Sequence, residues 1–300
     1  MTKATDIIVR PARSEDKTAV LAFCQHTWEN HEDYIAQVWD KWIADPTGQI
    51  LVVEIAGQPV AMTRVVQLAP QEGWWEGLRV DPQYRGLGLV RHLDLAVAQY
   101  CHARGITTIR CCVGSWNQGI PEMIQRRGYE PIACYQEHSA IAMPSSRSFQ
   151  PLIQLAPQDF AAVWQFVGRV QSVPPLFISR GAKWQRLTIE QLQERLELGK
   201  VWGDWQQQEL QGVLVQSHLE SADSALWIGY LEGTFDRFAQ PPTADRLPNL
   251  LQSIKHLASN LGYSTVSGFF PRTNDWLTLL QQADYQTSPG DEFWVYEKQL

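Results

Sequence analysis

The chain has 300 residues, of which 44% are hydrophobic, and its formal net charge is −7. This length supports one large domain or two ordinary ones with a sizeable core. The charges form no basic stripe, which argues against a nucleic-acid partner, and no apolar run is long enough to span a membrane. The first residues lack the apolar region of a signal peptide, so we expect a cytoplasmic protein.

The first half of the chain alternates between strand-like and helix-like segments. Apolar periodicity and turn residues predict the order β-α-α-β-β-β-α-β-α-β. The predicted elements are a strand from Ile7, a helix after Ser14, a helix at Tyr34–Ala44, strands at Ile50–Ile55, Pro59–Gln67 and Gly73–Val80, a helix at Leu89–Arg104, a strand at Ile106–Val113, a short helix at Pro121–Arg127 and a strand at Pro131–Ile141.

The second half begins a similar order after Pro144-Ser145-Ser146-Arg147-Ser148, which is the best linker candidate. The run LGYSTVSGFF and the later pair Asp284-Tyr285 echo RGITTIRCCV and the later pair Gly128-Tyr129. Two similar halves are one interpretation of this echo, and a chance repetition of α/β periodicity is the other. The further predicted elements are a strand at Ile153–Leu155, a helix at Pro157–Val170, a hairpin at Val201–Gln206 and Gln211–Leu219, a strand at Ala225–Leu231 and a helix at Leu247–Leu261.

The segment VDPQYRGLGLVRHL, Val80–Leu93, places two glycines between a predicted strand and a predicted helix. Backbone N–H groups at a helix start favour an anion, and glycines let a phosphate approach the backbone closely. The segment lacks the Gly-Lys-Ser/Thr of a Walker A loop, and Arg91 occupies the third glycine position of a dinucleotide fingerprint. The spacing alone leaves a plain hinge and a phosphate cradle open.

The loop Gln83-Tyr84-Arg85-Gly86-Leu87-Gly88 resembles the Q/R-x-x-G-x-G/A loop of the GCN5-related N-acetyltransferases, the GNAT superfamily. The preceding LRVDP and the following SWNQGIPEMIQRRGYEPI, Ser115–Ile132, stand at the usual spacings of that family, so the resemblance covers Ile7–Ile141. Within the family, EGLRVDPQYRGLG is most similar to the histidine N-acetyltransferase-like branch.

The resemblance of the first half, together with the repeated element order and the LGYSTVSGFF echo of the second, predicts an α/β (α+β) fold with two tandem GNAT-like domains, each a mixed central β-sheet flanked by helices. Residues 1–143 would form the domain with the acetyl-CoA loop. Residues 151–300 would form a degenerate GNAT-like domain, because Thr234–Leu247, with two prolines that lack backbone donors, stands in place of the loop.

The resemblance also implies acetyl-CoA as co-substrate and assigns residues to it. Backbone N–H groups of the loop would hold the pyrophosphate. Two arginines could meet CoA phosphates or remain solvated, and Asn117 would touch the pantetheine arm or only cap a loop. The residues expected at the co-substrate are Leu78, Val80, Arg85, Gly86, Leu87, Gly88, Arg91 and Asn117.

Glu76 is the candidate catalytic residue, because the strand before the loop often carries the base in this family. It stands among apolar neighbours, which suits a general base or an anchor for the amine, and a solvent-facing strand Glu is the alternative. Many family members have a Tyr that protonates the thiolate where this chain has Ile124, and Tyr129 corresponds to a buried aromatic. No residue is therefore assigned as general acid.

The five cysteines are odd in number and lack a Cys-x-x-Cys pair or a Cys/His spacing that suits zinc. Free thiols in a reducing compartment and no bound metal are expected. Cys111 and Cys112 lie on a predicted strand and are interpreted as core residues rather than nucleophiles. His92 and His102 fall on the helix after the loop and are expected to be solvated.

A group of acidic and aromatic residues lies between the first two predicted helices, where GNAT proteins bind acceptors. It could hold a cationic or aromatic amine, such as an amino acid or a polyamine, or be a solvated helix junction. Its members are Glu29, Glu32, Asp33, Trp28, Tyr34 and Trp39.

We expect an N-acetyltransferase that acts on a small-molecule amine, as a monomer or homodimer. The alternatives are a non-catalytic CoA- or amine-binding GNAT-fold protein and a protein or peptide N-acetyltransferase.

Overall fold

The computed structural model describes residues 7–25, 27, 33–144, 151–169, 176–179, 183–217, 224–233 and 246–300. The chain divides into two compact units. The first unit consists of Met1–Cys112, Ile124–Glu130 and Tyr296–Leu300, and the second of Val113–Met123 and Pro131–Val295. The predicted domains, 1–143 and 151–300, are contiguous, whereas the compact units are assembled from separate segments. Most of the predicted linker lies outside the described residues.

The first half of the chain has the predicted element order. Its elements are β1 (Ile7–Pro11), α1 (Lys17–Cys24), α2 (Ile35–Ala44), β2 (Gly48–Ile55), β3 (Gln58–Ala69), β4 (Glu72–Val80), α3 (Leu89–Ala103), β5 (Thr108–Gly114), α4 (Ile120–Gln125) and β6 (Glu130–Ile141). The prediction β-α-α-β-β-β-α-β-α-β is therefore confirmed, with ends that shift by a few residues.

The second half repeats this order with one hairpin, β8–β9, inserted between its first two helices. Its elements are β7 (Ile153–Gln154), α5 (Phe160–Arg169), β8 (Leu176–Ser179), β9 (Lys183–Arg186), α6 (Ile189–Glu197), β10 (Val201–Gln206), β11 (Glu209–Gln216), β12 (Ala225–Gly233), α7 (Arg246–Asn260), β13 (Thr265–Pro271), α8 (Asn274–Gln282) and β14 (Gln286–Gln299). The sequence patterns do not reveal β8, β9 or α6. In α6 the buried apolar face consists of Leu192 and Leu196, which is too little to stand out as a period.

The first unit contains a mixed sheet with the order β1-β2-β3-β4-β5, followed by the last residues of β14. The strands from β1 to β4 pair antiparallel, and β4 and β5 pair parallel. Helices α1 and α2 pack their apolar side chains on the sheet. The core there contains Val20, Phe23, Cys24, Ile35, Trp39, Trp42, Ile50, Val52 and Met62.

The second unit contains a mixed sheet with the order β14-β6-β13-β12-β11-β10-β7. Strands β12 and β13 pair parallel, and the ladders β6–β13, β11–β12, β10–β11 and β7–β10 are antiparallel. Helix α7 and helix α8 contribute to one apolar core, and helices α5 and α6 contribute to another. Each unit is thus a mixed sheet flanked by helices. No described helix is long and apolar enough to cross a membrane.

The sequence echo between the halves corresponds to a shared local geometry. The Tyr129 N–H donates to the Ile124 carbonyl at 3.2 Å, and the Tyr285 N–H donates to the Leu280 carbonyl at 2.9 Å. Both tyrosine rings are buried behind the helix that precedes them. The echo therefore corresponds to the same local hydrogen bond at one helix end in each half, and the tandem arrangement remains a prediction.

Candidate functional site

The loop after β4 is shaped by its own sequence. The Asp81 carboxylate accepts a hydrogen bond from the Gln83 N–H at 2.9 Å, and Pro82–Tyr84 form one short turn. Gly86 and Gly88 then adopt φ angles of +80° and +74°. These left-handed angles favour glycine because it has no Cβ. The two glycines thereby direct the chain from the end of β4 into the start of α3.

The loop presents backbone donors to its surroundings. Within the described part of the chain, the N–H groups of Gly86, Leu87 and Gly88 have no protein acceptor. A Cβ on either glycine would meet nothing within 4 Å, so the space above the loop is open. The α3 helix that follows has 15 residues, and the first N–H groups of a helix also lack intrahelical partners. This arrangement can bind an anion through backbone donors and the helix dipole.

The side chains around the loop divide into an anchor and an exposed set. Leu89 is buried and fixes the start of α3 in the core. Arg85 and Arg91 are exposed, as is Leu87 with 58% of its surface accessible. Both arginine side chains are open to solvent, and their contact with CoA phosphates remains a prediction.

Strand β4 contains a bulge shortly before the loop. Gly77 and Leu78 lie opposite Thr63, between the ladder pairs Arg64–Glu76 and Met62–Arg79. Gly77 has a φ of +69°, and a Cβ there would stand 2.9 Å from the Trp42 ring. A bulge leaves one residue outside the ladder and turns its backbone groups away from the neighbouring strand. The sequence thus requires glycine at this position for its backbone angle and for its close approach to Trp42.

The parallel pairing of β4 with β5 covers only the first part of β4. The register extends from Glu72 to Trp74, whereas β4 continues to Val80. The edge of β4 that faced β5 therefore continues beyond the last described pair. Leu78 and Val80, both half-buried, lie on this stretch. Backbone groups along such an edge can bind an extended ligand as a strand would.

Glu76 lies immediately before the bulge and is mostly covered, because only 11% of its side chain is exposed. Its carboxylate forms an ion pair with Arg64, and the same guanidinium forms a second ion pair with Asp45. The Arg64 side chain is 3% exposed and its guanidinium carbon lies 4.9 Å from the centre of the Trp42 ring. The solvent-facing interpretation of Glu76 is therefore wrong, and its role as base or amine anchor remains a prediction.

The predicted acceptor region is only partly described. Asp33, with 5% of its side chain exposed, accepts two hydrogen bonds from Arg79, from Nε at 2.6 Å and from Nη2 at 3.1 Å. The Arg79 guanidinium also lies 5.2 Å from the centre of the Tyr34 ring. Tyr34 is 38% exposed, whereas Trp39 is buried in the core. Trp28, Glu29 and Glu32 lie outside the described residues.

Asn117 follows β5 in a segment of the second unit, and its N–H closes a turn onto the Gly114 carbonyl at 3.0 Å. Its contact with pantetheine stays a prediction. Ile124 is buried and cannot donate a proton. Tyr129 is buried as well, with its ring centroid 5.4 Å from that of Trp75, and burial raises its pKa well above the usual value. A phenol in this setting is a core aromatic rather than a general acid.

The remaining titratable candidates have ordinary structural settings. Cys111 is buried, and burial raises the pKa of its thiol, which opposes nucleophilic chemistry. Cys112 is half-buried on the same strand. His92 is half-buried and His102 is exposed. Among the described residues, no group of three or more His, Cys, Asp and Glu is arranged to hold a metal ion.

Sequence reasoning missed Arg64, which pairs with Glu76, and Asp45, which pairs with the same guanidinium. Arg64 is the single charged residue in the run Pro59–Leu68, PVAMTRVVQL. A lone charge in a strand that is buried on both faces requires an internal partner, because an unpaired buried charge is costly. That signal was present in the sequence, but the identity of the partners depends on the register of β3 against β4.

The second unit repeats the bulged strand without the carboxylate. Strand β12 pairs parallel with β13 from Ala225 to Ile228, and its ladder with β11 shifts register next to the pair Gln216–Ile228. That pair lies next to the register shift, as Arg64–Glu76 does in the first unit, whereas the parallel ladders place Gly229 level with Glu76. Neither Ile228 nor Gly229 has a side chain that can accept a proton or bind an ammonium ion. Residues 234–245, which are predicted to stand in place of the glycine loop, lie outside the described residues.

Residues 15–129 match the model of the acetyltransferase (GNAT) family. The fold is similar to that of a GCN5-related N-acetyltransferase from Sphaerobacter thermophilus, with TM-score 0.64 and 16% identity over 98% of this chain and 95% of that one. It is also similar to one from Kribbella flavida (TM-score 0.52, 15% identity, 99% and 71% covered). A GNAT-family acetyltransferase from Colwellia psychrerythraea gives TM-score 0.51 and 10% identity, with 98% and 100% covered.

No curated protein was found to match the chain in sequence. At these identities the solved structures establish the fold alone. The family model covers less than half of the chain, and the solved structures share the fold of the whole chain.

Proposed function

We propose that the protein transfers an acetyl group from acetyl-CoA to the amine of a small molecule such as an amino acid or a polyamine. The main support is the loop Arg85–Gly88 at the start of α3, where three backbone N–H groups have no acceptor among the residues that the structure describes. The chemistry of these donors fits a pyrophosphate, and the absence of a Cβ on both glycines leaves room for it.

In this proposal, residues of the first unit bind acetyl-CoA and accept the proton of the amine. The loop and the exposed Arg85 and Arg91 hold the phosphates, and the edge of β4 at Leu78 and Val80 holds the extended arm. Acetyl-CoA supplies the activated acyl group as a thioester. The acceptor nitrogen forms a bond to the acyl carbon as the carbon–sulfur bond breaks, and the amine proton passes to Glu76. The thiolate takes its proton from water, because Ile124 is no donor.

The second half would be a degenerate GNAT-like domain. The repeated element order and the equivalent helix ends support a tandem arrangement. The lack of a carboxylate at Ile228 and Gly229, the two positions that match Glu76 by the register shift and by the parallel ladders, supports the view that only the first unit performs the reaction. The resemblance of Glu76–Gly88 to the histidine N-acetyltransferase-like branch makes a free amino acid, histidine among others, the first acceptor to test.

A second candidate function is a non-catalytic sensor of CoA or of an amine. Its supporting observation is the buried Ile124 in place of the proton donor that many relatives carry. Acetylation of a protein or peptide amine is the third candidate and requires an open peptide groove.

The test is thiol release from acetyl-CoA by the purified chain with a panel of amino acids, polyamines, aminosugars and N-terminal peptides. Mass spectrometry then identifies the acetylated amine. We expect turnover with at least one small amine, and in Gly86→Val a KM for acetyl-CoA that is at least tenfold higher. Tight binding of acetyl-CoA without turnover of any amine would support the sensor, and turnover confined to peptides would support the third candidate.

A further inference from the structure

The hydroxyl of Thr63 lies in the interior of the first unit, beside the bulge of β4. Thr63 is fully buried and lies opposite both Gly77 and Leu78 across the ladder between β3 and β4. Its Oγ1 donates a hydrogen bond to the Glu76 carbonyl at 3.0 Å. The hydroxyl therefore holds the backbone at the residue that immediately precedes the bulge.

A second hydrogen bond fixes the direction in which this hydroxyl points. The Trp75 indole donates from Nε1 to Oγ1 of Thr63 at 2.6 Å. A hydroxyl has a single proton and an indole can only donate, so the Thr63 proton is directed to the Glu76 carbonyl. The Trp75 ring is buried, with its centroid 5.4 Å from that of Tyr129. The direction of the hydroxyl is thus set by side chains packed in the core.

The other face of the sheet holds the side chain of Glu76. Successive strand residues point to opposite faces, so Thr63 and Arg64 lie on different faces of β3. Arg64 pairs with the Glu76 carboxylate and lies against the Trp42 ring of α2. A Cβ on Gly77 would also stand 2.9 Å from that ring. The bulge is therefore held by hydrogen bonds on one face and by helix α2 on the other.

The hydroxyl controls more than one backbone atom. The Glu76 carbonyl and the Gly77 N–H belong to one planar peptide group, so a hydrogen bond to the carbonyl fixes the orientation of both. A bulge interrupts the ladder, and buried backbone groups there need other partners. A general base must lie within hydrogen-bond reach of the proton that it accepts. A misplacement of about 1 Å can lower a rate roughly a hundredfold.

We propose that Thr63 is a positioning residue for acetyl transfer, whose hydroxyl holds the peptide group between Glu76 and Gly77 and thereby the Glu76 carboxylate. This inference rests on the proposed function and adds to it a residue that acts through Glu76. The reaction requires the hydroxyl at position 63, and a methyl group of the same shape cannot replace it.

The experiment compares Thr63→Val, which keeps the β-branched shape without the hydroxyl, with Thr63→Ser, which keeps the hydroxyl. Steady-state constants are measured with the amine that the wild-type chain acetylates, and calorimetry gives the affinity for acetyl-CoA. We expect kcat at neutral pH to fall roughly tenfold or more in Thr63→Val and to stay within about threefold of wild type in Thr63→Ser. The affinity for acetyl-CoA should be unchanged in both. Equal kcat values in the two variants would overturn the proposal.

A double-mutant cycle separates positioning from a general loss of stability. If Thr63 acts through the Glu76 carboxylate, Thr63→Val should lower kcat no further in a Glu76→Gln background. A loss by the same factor in both backgrounds would overturn the proposal. The matched control is Thr108→Val in β5 of the same unit, because the buried Thr108 hydroxyl also donates a hydrogen bond, to Gln299 at 2.9 Å. This control should lower stability and leave kcat unchanged.

Hydrogen–deuterium exchange tests the hold on the bulge without any turnover. In the peptide that covers residues 74–80 we expect exchange to be roughly fivefold faster or more in Thr63→Val, but not in Thr63→Ser or Thr108→Val. Unchanged exchange in Thr63→Val would overturn the proposal. If the wild-type chain acetylates no amine, the proposed function fails, and the exchange result still decides whether Thr63 holds the bulge.

Discussion

Replacing Gly86 by valine has two effects, a backbone strain at this position and a loss of the space that a ligand would occupy. Gly86 has a φ of +80°, and a left-handed angle costs a β-branched residue about 1–2 kcal/mol of stability. A Cβ there meets nothing within 4 Å, so no packing clash adds to this cost. The valine methyl groups would, however, occupy the open space above the N–H groups of the loop. We expect acetyl-CoA affinity to fall at least tenfold, about 1.4 kcal/mol.

The chain offers a matched control for the backbone strain. Gly57, in the turn between β2 and β3, has a φ of +79° and likewise no atom within 4 Å of an added Cβ. Gly57→Val should therefore lose about the same stability, measured as a Tm shift of a few degrees, and bind acetyl-CoA normally. Isothermal calorimetry measures the acetyl-CoA affinity of both variants. Wild-type affinity in a folded Gly86→Val protein would refute the cradle.

Three further predictions concern single carboxylates. Glu76→Gln should lower the rate at neutral pH roughly a hundredfold and leave acetyl-CoA affinity intact, and the loss should shrink at high pH, where free amine is already present; a wild-type pH–rate profile would rule Glu76 out as base. A hydrogen bond from a neighbouring arginine holds the pKa of Asp16 below its usual 3.8, so its stabilising contribution is present near pH 7 and is lost as pH falls below that value. Asp16→Asn should thus cost about 1–2 kcal/mol of unfolding free energy in urea at pH 7 and progressively less as the pH falls below 3.8, and a cost that does not change with pH would contradict this linkage. Glu297→Gln should lower the free energy of unfolding by about 1–3 kcal/mol, because Glu297 pairs with the buried Arg110 at 2.7 Å. The control Glu122→Gln, at an exposed position, should leave Tm unchanged. Equal Tm values for the two variants would show that this ion pair of the C-terminal strand does not stabilise the fold.

The sequence was sufficient wherever local chemistry decides the structure. The loop at Gly86 and Gly88 and the element order of the first half follow from turn residues, helix starts and apolar periods within short windows. The equivalent ends at Tyr129 and Tyr285 follow from a repeated local motif. These features need no knowledge of which strands are neighbours.

The features that the sequence did not reveal depend on contacts between distant segments. The pairing of Arg64 with Glu76 is set by the register of β3 against β4, and the pairing with Asp45 joins residues 19 positions apart. The last residues of the chain complete the first unit, where the Gln299 side chain accepts a hydrogen bond from Thr108 at 2.9 Å. No local pattern indicates that the last residues of the chain belong to the first unit, because strand residues at sheet edges and centres share the same alternation.

The central claim is that acetyl-CoA binds once per chain, on the backbone of the glycine loop and the start of α3. Hydrogen–deuterium exchange of the backbone amides with and without acetyl-CoA tests it most directly, since it reports on the N–H groups themselves. The account predicts slowed exchange in the peptide that covers residues 85–91 and no change in the peptide at the start of α7. Protection at the start of α7, or none at residues 85–91 when the ligand is bound, would contradict it.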